Sequence, residues 1–291
     1  MTESAARQFA APPRMTGTAL AARILLGSVR SQLGWLILGF GSIFFWGFTW
    51  NIDFSGLRFA LEPVGRTSGR FLYCNDTQFA RGRGDQDWRR IYEIHYRFEL
   101  LGRTFKGSSF ATGACAGGTL PIEYLRAHPE VSRIAGTRRR PFGPSTLLVD
   151  VVPAAGLFMV ITGLVQGRAR LRLLRDGLPA TGRLIDKTRM TSGAKRGQMY
   201  RLTFEYTSQN GATGRVTAST GLPELFEDKE GALVFYEPAN PRRAVLLASL
   251  PGSIAADALG QPVASPSRAF LILPALTILG NVWHILNLML K

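Results

Sequence analysis

Three long apolar runs divide the chain, and two stretches of alternating apolar and polar residues lie between them. The apolar runs cover residues 33–50, 146–166 and 269–290, and the β-patterned stretches cover residues 67–137 and 180–249. An α-helix rises about 1.5 Å per residue, so roughly 20 apolar residues cross about 30 Å of hydrocarbon. The pattern predicts an integral membrane protein in which three transmembrane helices alternate with two all-β modules, called module one and module two below.

The distribution of charge favours this membrane interpretation. No charged residue lies between positions 30 and 53 or between positions 268 and 291, and Asp150 is the single charge between positions 140 and 168. The alternative is that the runs form helices buried in a protein core. Their placement at both ends and in the middle of the chain disfavours that alternative. A signal peptide is the alternative for the first run. Its apolar stretch is too long and no A-x-A-like site follows Trp50, so we predict an uncleaved anchor.

Arginines flanking the runs predict an orientation. Arg14, Arg23 and Arg30 precede the first run and Asp53 follows it, which favours a cytoplasmic N-terminus in a bacterial inner membrane. Residues 1–32 are predicted to form a flexible basic tail. A single crossing by the middle run would place module one outside and module two in the cytoplasm. A re-entrant hairpin broken at Pro153 would leave both on one side, and we favour the single crossing.

The net charge of +15 raises the question of nucleic-acid binding. Many of the arginines flank the apolar runs, as at residues 138–140 and 168–175, where they are expected to contact anionic lipid headgroups. No basic stripe interleaved with aromatic residues, of the kind that stacks bases, is present. No nucleic-acid partner is expected.

The two β modules match each other along their length. Gly69 corresponds to Gly182, the polar loop at residues 80–87 to that at 191–198, and residues 122–124 to 234–236. Tight hairpin turns are predicted at residues 101–103 and 209–211. Each module is therefore predicted to be a repeated five-stranded domain of barrel or sandwich type, a form that suits a core of about 70 residues.

The second module ends in Tyr-Glu-Pro-Ala-Asn-Pro-Arg-Arg-Ala-Val-Leu, at residues 236–246. This ending resembles that of the bacterial membrane proteins grouped as domain of unknown function 3592, whose modules end in Tyr-Asp-Pro-x-Asn-Pro and are tethered by transmembrane helices. Glu237 stands where the family has Asp, and module one matches loosely, with His128 in place of Asn. The resemblance implies a membrane-tethered β module, and it implies no catalytic residues because none are established for the family. Since proline fixes φ, a structural corner is the favoured role of this ending.

Motifs with a defined chemistry are missing from the sequence. No phosphate-binding loop in strand-to-helix context, HExxH, CxxC or Ser-His-Asp spacing occurs, and Gly82-x-Gly84 is assigned to turn chemistry. Cys74 and Cys115 leave two alternatives open, a disulfide or two independent thiols, of which we favour the thiols. No catalytic, cofactor or metal site is predicted.

Polar residues inside the apolar runs are the remaining functional candidates. Asp150 lies in the middle run, and Asn281, His284 and Asn287 form a stripe on the last one. Ionisable groups in a membrane are costly, so a proton relay between His284 and Asp150 is one hypothesis. Interhelical hydrogen bonding is the favoured alternative. Gly163-x-x-x-Gly167 matches a helix-dimer motif, although it runs off the end of the span.

Three hypotheses for function follow. The leading one is a non-enzymatic multi-pass membrane protein whose β modules serve protein interaction or envelope support, with the lipid bilayer and other membrane or envelope proteins as partners. The second is a small transporter or channel component that uses the intramembrane polar residues. The third is a membrane-bound enzyme with an unrecognised site.

Overall fold

A computed structural model describes residues 9–81, 89–113, 115, 117–190, 199–221 and 231–290. The predicted polar loop at residues 191–198 and most of that at residues 80–87, including Gly82 and Gly84, lie outside this part of the chain. The molecule divides into two compact units, one formed by Met1–Phe40 with Pro153–Lys291 and the other by Gly41–Val152. Each unit is described on its own.

Five α-helices are described. They are α1 (Thr18–Leu26), α2 (Val29–Gly47), α3 (Ser55–Leu61), α4 (Val151–Asp176) and α5 (Ile272–Met289). With the short 3-10 turns beside them, three segments are long and apolar enough to cross a membrane: Val29–Asn51, Pro144–Asp176 and Ala269–Met289. The three predicted apolar helices are thus present.

Helix α4 runs farther than the apolar pattern predicted, to Asp176 instead of residue 166. Arginine and leucine are good helix formers, so the Arg-rich sequence after Gln166 continues the same helix. The helix ends at Gly177, whose N–H donates to the Leu173 carbonyl at 2.8 Å. Pro153 lies in the first turn, where a missing N–H is tolerated, and the helix is continuous past it.

Module one forms a five-stranded antiparallel sheet of β1 (Val64–Arg81), β2 (Arg89–Leu100), β3 (Arg103–Thr112), β4 (Thr119–Leu125) and β5 (His128–Ile134). The strand order is β3-β2-β1-β4-β5. The sheet closes to a near-barrel, because the Ile134 N–H on one edge strand donates to Ser109 Oγ on the other at 2.9 Å. Its buried core is formed by Ile94, Tyr96, Phe98, Ile122 and Ile134.

Module two forms a second five-stranded antiparallel sheet. Its strands are β6 (Leu178–Met190), β7 (Met199–Thr207), β8 (Thr213–Thr220), β9 (Ala232–Glu237) and β10 (Asn240–Leu246), in the order β10-β9-β6-β7-β8. A short hairpin of β11 (Ile254–Ala256) and β12 (Pro262–Ala264) follows. The core residues include Leu202, Phe204, Tyr206, Val234, Tyr236 and Leu246.

The two sheets agree in strand order and in local register. Gly69 in β1 faces Phe98, and Gly182 in β6 faces Tyr206. In both pairs the register shifts between the second and the fourth residue after that glycine. The predicted tight turns are also present: Leu101 and Gly102 both have positive φ, as does Gly211, which matches the right-handed twist of a hairpin.

The N-terminal region differs from the flexible tail that composition suggested. Within its described part, Leu20 and Ile24 of α1 are buried in a cluster with Leu174, Phe235 and Val245. The sheet of module two therefore has a second apolar face, opposite its core. Helix α1 and the end of α4 cover that face. Because this cover requires apolar partners, the segment folds instead of remaining a solvated tail.

Candidate functional site

Glycines form the contact between α4 and the first two helices. A Cβ on Gly163 would lie 3.1 Å from the Ser31 Cβ, and a Cβ on Gly167 would lie 2.9 Å from the Leu25 Cα. The Gly163-x-x-x-Gly167 pair thus packs against two earlier helices of the same chain, Gly163 against α2 and Gly167 against α1. The motif alone suggested contact with a second copy of the helix. In the structure the two glycines contact helices of the same chain instead. We call the buried α4 positions Gly156, Val160, Gly163 and Gly167 the glycine seam.

Hydrogen bonds within the same unit tie α5 and the 3-10 turn before it to α2. The Thr277 hydroxyl donates to the Trp35 carbonyl at 3.2 Å, and Gln32 Nε2 donates to the Phe270 carbonyl at 2.8 Å. Gly39 lets the helices approach, since a Cβ there would lie 2.6 Å from Thr277 Oγ1. These are hydrogen bonds between apolar helices, which specify how the helices pair.

The predicted stripe on α5 does not form a single site. Asn281 is half-buried and donates from Nδ2 to the Thr277 carbonyl of its own helix at 2.8 Å. Asn287 is half-buried and His284 is exposed. Asp150, in the other compact unit, accepts a 2.6 Å hydrogen bond from the Thr49 hydroxyl. Asp150 and His284 therefore belong to different units, each with its own local environment.

Buried Asp53 joins two segments of its unit through hydrogen bonds. Its Oδ1 accepts from the N–H and the hydroxyl of Ser55, at 2.8 and 2.6 Å, and its Oδ2 accepts from the Arg139 N–H at 2.7 Å. The residue joins the start of α3 to the segment before Pro144. From the sequence, Asp53 contributed only to the predicted orientation and this role was missed, although an Asp side chain often accepts from the backbone N–H two residues on.

A cleft of about 900 Å³ lies beside Asp53 in this unit. Apolar and basic residues line it, among them Phe45, Trp50, Phe54, Arg58, Arg139 and Arg140. The rim carries two exposed apolar side chains, Phe54 just before the short helix α3 and Leu57 within it. The cleft therefore combines an apolar wall with basic groups.

The two cysteines form a disulfide bond between Cys74 and Cys115. The sequence alone left a disulfide and two independent thiols open, and we favoured the thiols. Strand β1 and the segment after β3 bring their Cα atoms to 6.2 Å, within the usual range for a disulfide. The bond closes the segment that follows β3 onto the central strand of module one.

Buried Arg14 holds the end of α4. Its Nη1 donates to the Leu174 and Gly177 carbonyls at 2.9 and 2.8 Å, and its guanidinium lies over the Phe235 ring, 4.7 Å from the centroid. A cation at a helix C-terminus complements the helix dipole and satisfies carbonyls that lack helical partners. Burial lowers the Arg14 pKa. Sequence analysis counted this residue only toward orientation.

A second cleft, of about 860 Å³, lies between the last turns of α4 and the β9–β10 corner. Four arginines and two carboxylates line it, which leaves an excess of two positive charges; we call it the basic cleft. These residues are Arg170, Arg172, Asp176, Glu237, Arg242 and Arg243. The two groups of arginines are distant in sequence, so no local motif signals their convergence.

Both carboxylates of the basic cleft are already paired. Glu237 lies 3.6 Å from Arg172 Nη2 and 3.4 Å from Arg243 Nη1. Asp176 accepts two hydrogen bonds from the Arg175 guanidinium, at 2.9 and 3.0 Å. Within the described ranges, no carboxylate forms an ion pair with Arg170 or Arg242. The cleft thus presents two guanidinium groups that lack an acidic partner in this part of the chain.

Candidate metal ligands are dispersed in the parts of the chain that the structure covers, where no group of three His, Cys, Asp or Glu side chains is placed to hold an ion. His95 stacks on Tyr73, with ring centroids 4.3 Å apart, and its Nε2 lies 3.4 Å from Glu93 without hydrogen-bond geometry. This pair packs on the sheet of module one.

The chain matches no protein-family model, and searches of curated proteins and of solved structures find no similar protein.

Proposed function

We propose that this chain is a non-enzymatic multi-pass protein of the bacterial inner membrane whose β modules serve protein interaction or envelope support. The observation that carries the proposal is the lateral surface of the three long helices. It remains apolar and exposed, for example at Ile43, Phe158 and Leu279, which are 64%, 68% and 65% exposed. An apolar surface of this extent requires a lipid or protein cover, and its distribution over three spans favours lipid.

The orientation that we propose places the N-terminus in the cytoplasm, module one outside and module two in the cytoplasm. The arginines before α2 favour a cytoplasmic start. The Cys74–Cys115 disulfide supports an oxidising compartment for module one, while module two contains no cysteine. Helix α4, which is continuous from Val151 to Asp176, supports one crossing between the modules.

We further propose that the modules are repeats of one domain and that they belong with the domain of unknown function 3592. Their common strand order and register support the first statement. The Tyr236 ending supports the second, and its contacts fit a corner. The Tyr236 hydroxyl accepts from the Gln209 N–H at 2.9 Å, and the Tyr206 hydroxyl donates to the Pro241 carbonyl.

Site-specific photo-crosslinking in intact cells tests the interaction role. A crosslinker at Leu101, on a module-one turn and 96% exposed, is expected to capture a discrete protein partner. The same group at Leu279, on the apolar face of α5, is expected to capture lipid. If the position on the module captures no discrete protein while reconstituted vesicles conduct a solute, the interaction role is wrong.

The second candidate is a transporter or channel component. The observation in its favour is the half-buried Asp150 carboxylate, hydrogen-bonded to Thr49 within a predicted apolar run. Flux through proteoliposomes tests it, with Asp150→Asn and His284→Ala compared with the native chain. A flux that both substitutions abolish would favour the relay. A flux of zero in the native protein would remove this candidate.

A further inference from the structure

We propose that the basic cleft binds a phosphate-bearing anion, and specifically the headgroup of an anionic phospholipid. The proposal rests on the membrane placement proposed above and adds a ligand that the two β modules by themselves do not imply. Its starting point is the pair of arginines that lack an acidic partner among the described residues, Arg170 on α4 and Arg242 on the β9–β10 corner.

The charges around Arg170 favour an anion. This arginine is half-buried, and Arg30 on α2 is near enough for the two positive charges to repel each other. Partly burying a charge without an opposite charge is unfavourable. A phosphate between Arg170 and Arg242 would supply the missing negative charge and accept several charge-assisted hydrogen bonds.

The depth of the cleft selects a lipid as the source of the phosphate. Gln166, at the end of the apolar run, and Arg170 both line the cleft on one face of α4. Four residues of helix rise about 6 Å, and the headgroup layer of each leaflet is roughly 5 to 7 Å thick. Arg170 therefore lies at the level of the phosphates when the apolar run spans the hydrocarbon.

The paired carboxylate regulates the strength of the site. Glu237 holds Arg172 and Arg243 at the other side of the cleft, where it competes with an incoming anion for both guanidinium groups. Glu237→Gln keeps the shape of the side chain and removes this competition. The substitution is therefore expected to tighten anion binding, a direction that general loss of structure would not produce.

The test uses the full-length protein in a mild detergent. Its melting temperature is followed during titration with phosphatidylglycerol, phosphatidylcholine or glycerol 3-phosphate, because a ligand that binds the folded state raises it. The native chain is expected to bind phosphatidylglycerol more tightly than phosphatidylcholine. Arg170→Gln with Arg242→Gln is expected to weaken that binding about 25-fold, since each arginine near an anionic surface contributes about a fivefold factor.

A matched pair controls for net charge. Arg189→Gln with Arg201→Gln removes two exposed arginines from the strands of module two that lie outside the cleft, and it should leave the affinity unchanged. Binding of glycerol 3-phosphate that equals lipid binding and depends on Arg170 and Arg242 would uphold phosphate recognition and assign it to a soluble ester. If the cleft double variant and the control double variant lose affinity for phosphatidylglycerol equally, the proposal is wrong.

Two measurements protect the test if the cleft variant does not fold. The first is the preference of the native chain for phosphatidylglycerol over phosphatidylcholine. The second is the tighter binding of phosphatidylglycerol expected for Glu237→Gln. Neither measurement depends on the cleft variant. If the native protein does not distinguish the two lipids, the proposal is wrong. Because the titration is made in detergent, that result would count against the cleft and not against membrane insertion, which membrane fractionation measures separately.

Discussion

Gly156 on α4 lies directly against the backbone of Leu38 on α2: a Cβ added to Gly156 would be 2.4 Å from the Leu38 nitrogen and 2.8 Å from its Cα. A neighbouring backbone cannot rotate away as a side chain can. The absence of a side chain at Gly156 therefore sets the distance between the two helices. Gly34 makes the reciprocal contact, since a Cβ there would be 2.8 Å from the Val160 nitrogen.

The first prediction is that Gly156→Ala separates α2 from α4. Forcing one methyl group into a close-packed contact typically costs about 1 to 3 kcal/mol, so the detergent-solubilised variant should unfold at a lower temperature. Gly280→Ala is the matched control, because Gly280 is also in a long apolar helix and a Cβ there meets no atom within 4 Å. Equal melting temperatures for the two variants would contradict the role of the glycine seam.

The sequence was sufficient for the elements whose signal is local. The absence of charge over about twenty residues locates a long apolar helix, and alternation with turn glycines locates the hairpins around Gly102 and Gly211. Helix α4 continues to Asp176, ten residues past the predicted end of the apolar segment at residue 166, because a helix continues through arginines that no longer match the apolar pattern. Hydropathy marks where the apolar run ends and not where the helix ends.

The candidate sites depended on contacts that no local pattern encodes. The basic cleft joins Arg170 to Arg242, and the disulfide joins Cys74 to Cys115. Both pairs meet only because antiparallel strands and a helix bring distant segments together. Buried Arg14 is similar, since its carbonyl partners belong to the end of α4. From the sequence, Arg14 contributed only to the predicted orientation, and Arg242 was only part of the ending at residues 236–246.

The second prediction concerns the disulfide. Cys74 and Cys115 are separated by 41 positions, and closing a loop of this size stabilises a fold by about 4 kcal/mol in the chain-entropy model. Reduction should therefore speed hydrogen exchange in β1 and β2 and shift gel mobility. The sheet of module two is the internal control, since module two has no cysteine. Unchanged mobility on reduction would show that the two thiols are independent.

The third prediction is that Arg14→Met releases the N-terminal segment. The substitution keeps much of the apolar stem and removes both hydrogen bonds to the end of α4, leaving the Leu174 and Gly177 carbonyls without that donor. Each buried group left unsatisfied costs about 1 to 3 kcal/mol. Limited proteolysis should cut within α1 sooner than in the native chain. Met15→Ala, at an exposed neighbouring side chain, should be cut at the native rate.

The fourth prediction is a loss of stability of module one at high pH. Burial raises the pKa of Tyr96, and its hydroxyl lies 3.1 Å from Ser132 Oγ. Because the folded-state pKa exceeds the unfolded value of about 10, the contribution of Tyr96 is complete below that pH and is lost as pH rises through the folded pKa. The free energy of unfolding of module one should therefore decrease in alkaline solution.

Tyr96→Phe separates this effect from general alkaline unfolding. The variant loses the hydroxyl, so it should be about 1 kcal/mol less stable than the native chain at neutral pH and should show a weaker decrease above pH 10. Tyr73→Phe, at an exposed tyrosine of the same sheet, provides the comparison. If the free energy of unfolding decreases equally with pH in the native and Tyr96→Phe proteins, Tyr96 is not the source of the decrease.

The fifth prediction tests the proposed orientation by thiol labelling in intact cells, in a background with Cys74→Ser and Cys115→Ser. Leu101→Cys places a thiol on a turn of module one and Asn210→Cys places one on a turn of module two, both at exposed positions. With one crossing by α4, a membrane-impermeant reagent should label position 101, and position 210 should react only after the membrane is opened. Labelling of both positions in intact cells, or of neither, would mean that α4 does not separate the modules across the membrane. In either case the middle apolar segment would have to be buried against lipid or protein without crossing.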